Sequence, residues 1–129
     1  MTVPASICNS LGFSHGGATA TIFDLLTSVA LTAVSKPGNF HYMGVTRTLN
    51  CTYLRPLMKG MKVVIGCDVV QVGRKLAVIR GWMREWDESA SEKEGPVRMK
   101  GELLATCEHG KVNTDHTLSS KKKESAAKL

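Results

Sequence analysis

The chain has 129 residues, a length for one domain, and 43% of them are hydrophobic, enough to bury a core. Its formal net charge is +6, but residues 119–129 hold four lysines and one glutamate, which leaves +3 for the rest. With two Trp, two Tyr and three Phe, and no interleaving of bases with aromatics, the composition argues against nucleic-acid binding and fits a small polyanionic ligand better. No run approaches the roughly 18 apolar residues of a membrane span, and no basic segment followed by an apolar stretch marks a secretory signal.

Residues 1–14 carry little regular pattern. Residues 16–35 read as a helix that is apolar on most sides, with Ile22, Leu26, Val29, Ala30 and Ala33 at helical spacing. Gly16 and Gly17 open it and Lys36-Pro37-Gly38 stops it. So apolar a helix calls for a large cover, such as a sheet.

Strand patterns follow. In 45–55 the odd positions Val45, Leu49, Cys51 and Tyr53 are mostly apolar, and Thr46, Thr48, Asn50 and Thr52 are polar, until Arg55-Pro56 breaks the ladder. Residues 61–72 are Val/Ile-rich, Gly73-Arg74-Lys75 is a hairpin turn, and a third strand covers about 76–86. Asp87 to Pro96 is charged and Ser-rich and reads as a loop. The last strand alternates Val97, Met99, Leu103, Ala105 and Cys107 with Arg98, Lys100, Glu102, Thr106 and Glu108. Short hairpins imply antiparallel pairing, so the class is α+β, a curved sheet on one helix. Residues 1–112 form the domain, and 113–129 read as a disordered, lysine-rich tail.

Cys8, Cys51, Cys67 and Cys107 form no C-x-x-C pair. They read as small buried hydrophobes of a reducing compartment, and His41, His109 and His116 are too scattered for a metal site.

Residues 9–24 carry the chemistry. An amide, Asn9, precedes His15-Gly16-Gly17 at a helix start, and one carboxylate, Asp24, sits in the helix. Backbone N–H groups at a helix start can hold an oxyanion, and a nearby carboxylate can activate water. The plain alternatives are a turn-capping Asn9, glycines serving close packing, and Asp24 on a solvated helix face. Thr46 has the alternative of being one more β-strand threonine. Arg55, Arg74 and Lys75 are either ordinary surface charges or partners for phosphates.

Asn9-x-x-Gly12-x-x-His15-Gly16-Gly17, Asp24, the Thr46 to Arg55-Pro56 strand and Gly73-Arg74-Lys75-Leu76-Ala77 together resemble the hotdog-fold acyl-coenzyme A thioesterases, in particular their phenylacetate-type group, over roughly residues 3–110. The resemblance implies an antiparallel sheet wrapped around one long central helix, and hydrolysis of acyl-CoA without cofactor or metal. It places the oxyanion-holding amide on Asn9, the backbone donor on Gly16 with Gly17 beside it, the catalytic carboxylate on Asp24 and the orienting hydroxyl on Thr46. His15 takes a positional role, and Arg55, Arg74 and Lys75 would meet CoA phosphates. It also implies a homodimer or homotetramer in which Asn9 and Gly16 face Asp24 and Thr46 of the partner chain.

Two departures stand out. The chain starts at Met1-Thr-Val-Pro, inside or just after the family's first strand, so an open sheet edge or an incomplete product is expected. Thr46 stands where Ser is more usual, and its added methyl stiffens the side chain. The alternatives are a hotdog enoyl-CoA hydratase or dehydratase, disfavoured because no His accompanies Asp24 on the helix, and a non-catalytic acyl-CoA-binding subunit. Ala127-Lys128-Leu129 resembles the peroxisomal Ser-Lys-Leu address, with the cytoplasm as the other location.

Overall fold

A computed structural model gives the fold; it describes residues 1–87 and 101–128. The expected loop through Pro96 and the alternation at Val97 to Lys100 lie almost wholly outside the described residues. The elements in order are α1 (Gly16–Ala30), extended by a 3-10 turn at Leu31–Ala33, then β1 (Val45–Tyr53), β2 (Val63–Val72), β3 (Leu76–Glu85), β4 (Leu103–Val112) and α2 (Asp115–Ala127). The four strands form one antiparallel sheet in the order β1-β4-β3-β2, with α1 against one face.

α1 is where reading and structure part in detail. Its buried residues are Thr19, Phe23 and Thr27, with Leu31 continuing the row; Leu25, Leu26 and Val29 are exposed. A helix apolar on most sides has no unique apolar stripe, so polarity cannot choose the buried face. Two features of the sheet choose it, a gap at Gly81 and, on β4, His109, which meets the Thr27 hydroxyl. Gly81 of β3 leaves a gap: a Cβ there would lie 2.8 Å from Cys107 Sγ and 2.9 Å from the Phe23 ring, so only glycine lets Phe23 sink between the strands. Around Phe23 gather Val3, Leu57, Val63, Met83, Leu104, Ala105 and Cys107, and a second cluster joins Leu31, Phe40, Ala77 and Ile79. The 18 residues Gly16–Ala33, at mean hydropathy 1.2, do reach the length and apolarity of a membrane span, against the sequence reading; in the fold they lie on the sheet.

β4 also runs further than the alternation suggested. Past Glu108 its helix-facing positions are His109 and Lys111, both buried. Two polar residues on the buried face end the apolar signal without ending the strand. Beyond it, Asp115–Ala127 is helical where an unstructured tail was expected. Ala, Lys and Glu favour helix, and the start of α2 is tied down: the buried Asp115 carboxylate accepts the His41 and Tyr42 N–H groups.

At the other sheet edge, Met1–Val3 runs beside the start of β2. Met1 N and Val63 O are 2.7 Å apart, and Val3 N–H donates to Met61 O at 2.9 Å. The rest of β2 is an outer strand of the sheet.

Candidate active site

Asn9, His15, Gly16 and Gly17 surround the start of α1. The Asn9 carboxamide oxygen accepts the N–H groups of Leu11 and Phe13, which closes the loop and leaves Nδ2 without a partner among the described residues. His15 occupies the cap position, but its side chain makes no cap bond. Its main chain does the positioning: N–H donates to Ile7 O at 2.8 Å, and its carbonyl accepts Thr19 N–H at 3.1 Å. The N–H groups of Gly16 and Gly17 therefore precede the helical ladder and, among the described residues, stay open at the positive end of the helix dipole. Tyr53, which the sequence reading passed over, donates its hydroxyl to Gly16 O at 2.7 Å. Its ring fills the space where a Gly16 Cβ would stand, 3.3 Å away.

Asp24 meets Thr46 and His109. The Thr46 hydroxyl donates to Asp24 Oδ1 at 2.8 Å and lies 2.9 Å from His109 Nε2; Asp24 Oδ1 and His109 Nε2 are 3.3 Å apart. Thr46 reaches this face through a bulge. The ladder pairs Thr46 with Lys111 and Thr48 with Gly110, so Arg47 is an extra residue and the register shifts there. Without the bulge, Thr46 would share the outward face with Thr48 and Asn50. Asp24 is 42% exposed at its side chain; His109 is fully buried.

Burial and hydrogen bonding together set the state of His109. Thr27 donates its hydroxyl to Phe23 O at 2.6 Å, so at its 2.6 Å contact with His109 Nδ1 it accepts. The imidazole proton is therefore on Nδ1. Burial first, then the Lys111 charge, lower the His109 pKa, against a smaller opposing pull from Asp24. His109 is neutral near pH 7, and Nε2 is an acceptor. The single Thr46 hydroxyl proton thus has two acceptors, a carboxylate and an imidazole. Nothing in the spacing of His109 pointed to this; only the continued alternation 103, 105, 107, 109 could have.

The predicted residues separate into groups. Eight residues at about 1.5 Å each put Asp24 roughly 12 Å along the axis from Gly16, so one chain cannot apply both to one carbonyl. Arg55 lies at the Tyr53 end of the sheet and pairs with Glu102 on the surface. Arg74 and Lys75 lie at the opposite end, where Asn113 bonds both main chains. Arg74 also lines a cavity of 590 Å³ with Asn39, Gly73 and His116. Between α1 and β2, Ile22, Leu25, Leu26, Val63 and Ile65 line an apolar groove of 570 Å³. Among the described residues, no three or more His, Cys, Asp or Glu are grouped to hold a metal.

Comparison with known proteins bears on the family and the fold. Acyl-coenzyme A thioesterase 13 of Mus musculus is 34% identical over 77 residues, 60% of this chain and 52% of that protein; the Homo sapiens protein matches to the same extent. The chain thus spans about half the length of the curated relatives it matches. The crystal structure of zebrafish thioesterase superfamily member 2 superposes with TM-score 0.70 at 27% identity, covering 88% of this chain and 70% of that one. A Streptococcus mutans protein solved bound to acetyl CoA shares the fold, with TM-score 0.65 at 19% identity, over 87% of this chain and 76% of that one. The fold is the hotdog fold of these thioesterases, and the family model described as the thioesterase superfamily matches residues 11–85, more than half of the chain. The chain belongs to the thioesterase superfamily.

Proposed function

We propose that the chain hydrolyses acyl-CoA thioesters at a site shared between two copies of itself. The carrying observation is the separation of the two halves of the chemistry along α1: open N–H groups at its start, and the Asp24–Thr46–His109 cluster roughly 12 Å further on. A twofold dimer brings the first half of one chain to the second half of the other. The exposed apolar side chains of α1 and the outer edge of β1, unpaired among the described residues, support such an interface.

In this reading the thioester oxygen sits between the Gly16 N–H and Asn9 Nδ2. Asp24 of the facing chain takes a proton from water as the water oxygen bonds to the carbonyl carbon. The tetrahedral oxyanion collapses, the C–S bond breaks, and the CoA thiolate takes the proton from Asp24. Thr46 orients the carboxylate. The apolar groove supports binding of an apolar acyl group, and Arg74 and Lys75 support binding of the CoA phosphates.

A free-thiol assay over a panel of acyl-CoAs tests the activity. Asp24→Asn should lower turnover at least ~10²-fold with the fold retained. Mixing folded Asp24→Asn and Asn9→Asp chains should restore part of the activity, because one of the two mixed sites is then intact. No restoration in mixed dimers would sink the shared site. The nearness of His109 to Asp24 gives the hydratase reading a specific footing, since the helix is not the only source of a His. Loss of the enoyl absorbance of a 2-enoyl-CoA, without thiol release, would select it.

A further inference from the structure

Whether the Thr46 hydroxyl reaches Asp24 depends on where the β1 ladder slips. Val45 and Thr46 pair with Val112 and Lys111, the ladder resumes at Thr48 with Gly110, and Arg47 is left over. A one-residue slip turns every side chain to the other face, so Thr46 keeps its facing only while the slip stays at Arg47. Alternation along β1 does not hold it there, since alternation from Thr48 onward turns Thr46 outward. The phase of Val45 and Thr46 is set from ahead of the strand.

The turn 40–44 stands in that place. Phe40 and Met43 have φ of 57° and 61°, a left-handed backbone that residues with a side chain seldom adopt, and Gly44 follows at 61°. A Cβ on Gly44 would lie 2.3 Å from Val112 O and 3.0 Å from the Phe40 ring. The backbone of residue 44 thus presses on the very β4 residue that pairs with Val45. So strained a path persists where its surroundings impose it. The Phe40 ring is fully buried with Leu31, Ala77 and Ile79. Three successive N–H groups of the turn donate to side chains from just beyond β4. Phe40 N–H donates to Asn113 Oδ1 at 3.2 Å, His41 N–H to Asp115 Oδ2 at 2.8 Å and Tyr42 N–H to Asp115 Oδ1 at 3.3 Å. Asn113 Oδ1 also accepts the Asp115 N–H at 3.1 Å, which ties the two acceptors together.

We propose that Asp115 is a positioning residue of the Asp24 site: by clamping the turn 40–44 it fixes the phase of β1, so that the slip falls at Arg47 and Thr46 faces the carboxylate. The first residue of α2 is then part of the scaffold of the site. The proposal rests on the thioesterase reading for its effect on turnover, not for its effect on the ladder.

Two readouts keep these apart. The first needs no substrate. Cross-strand NOEs between Thr46 and Lys111 report the facing of Thr46, and so does the Nε2 resonance of His109, 2.9 Å from the Thr46 hydroxyl. Both should change in Asp115→Ala, while the NOEs from Thr48–Gly110 to Tyr53–Ala105 persist. Asp115→Asn keeps one acceptor oxygen and should show a smaller change in the same direction. The second readout is a double-mutant cycle in thiol release. Asp115→Ala should lower kcat/KM as much as loss of the Thr46 hydroxyl does, roughly 10- to 30-fold, and should cost nothing further in a Thr46→Val background. A merely structural role would give losses that multiply. Multiplying losses overturn the proposal, as do unchanged Thr46–Lys111 NOEs in a folded Asp115→Ala, or in Asp115→Asn where that alone folds. If neither variant folds, hydrogen exchange in the wild type decides. The amides of Phe40, His41 and Tyr42 and those at the Thr46–Lys111 end of the ladder should open as one unit with one denaturant dependence; turn amides that open alone overturn the proposal. A wild type that releases no thiol from any acyl-CoA, while the NOEs change as expected, would instead defeat the thioesterase reading alone.

Discussion

Thr46→Val is the sharpest test of the Asp24 cluster, because it keeps the shape of the side chain and removes one hydroxyl. That hydroxyl donates to Asp24 Oδ1 at 2.8 Å. A hydrogen bond to a charged group is worth about 1.5–3 kcal/mol. The Asp24 side chain is 42% exposed, which places this bond toward the lower end, about 1.5–2 kcal/mol. At 1.36 kcal/mol per decade, the expected loss in kcat/KM is roughly 10- to 30-fold. Thr46→Ser keeps the hydroxyl and should stay within about threefold of the wild type on the same scale. Both variants should melt near the wild type, since Thr46 is exposed in β1. The assay is thiol release from acyl-CoA under kcat/KM conditions, with folding checked by circular dichroism. A folded Thr46→Val with undiminished activity would refute the argument that the hydroxyl orients the catalytic carboxylate.

Further outcomes follow from other parts of the structure. Asn9→Asp keeps an oxygen to accept the Leu11 and Phe13 N–H groups but removes the Nδ2 donor, so turnover should fall by ~10²–10³ with the loop intact; turnover near that of the wild type would remove Asn9 from the oxyanion site. Phe23→Ala should cost about 3–5 kcal/mol in urea denaturation, since Phe23 is fully buried in the gap over Gly81. His109 has a lowered pKa in the fold, so the unfolded chain takes up its proton first as pH drops below 6.5. Stability should therefore decline from pH 6.5 down to the folded pKa, and the decline should be shallower in His109→Gln; equal slopes would exclude His109 as its source. Finally, we propose that Ala127-Lys128-Leu129 acts as a peroxisomal address; Leu129 lies outside the described residues. Deleting the three residues should move an N-terminally tagged protein from peroxisomes to cytosol, and identical diffuse signals would refute the address.

Local signals in the sequence determined much of this protein. The long apolar run between Gly-Gly and Lys-Pro-Gly sets α1, and period-two alternation with a Gly-Arg-Lys turn sets the β2–β3 hairpin. The spacing of Asn9, His15-Gly16-Gly17 and Asp24 depends only on neighbours in the chain, and the fold keeps it. Tertiary structure decided the rest. The buried face of α1 runs through Thr19, Phe23 and Thr27 because Gly81 makes room and His109, 82 residues away from Thr27, satisfies its hydroxyl. Thr46 faces Asp24 because the ladder slips at Arg47, and alternation read along β1 alone assigns it to the other face. His109 and Lys111 end the apolar pattern of β4 while remaining buried, because their partners lie on α1 and not along the strand. Polarity along a sequence tells which groups need a partner. Which distant group supplies it is settled only when helix and sheet are pressed together.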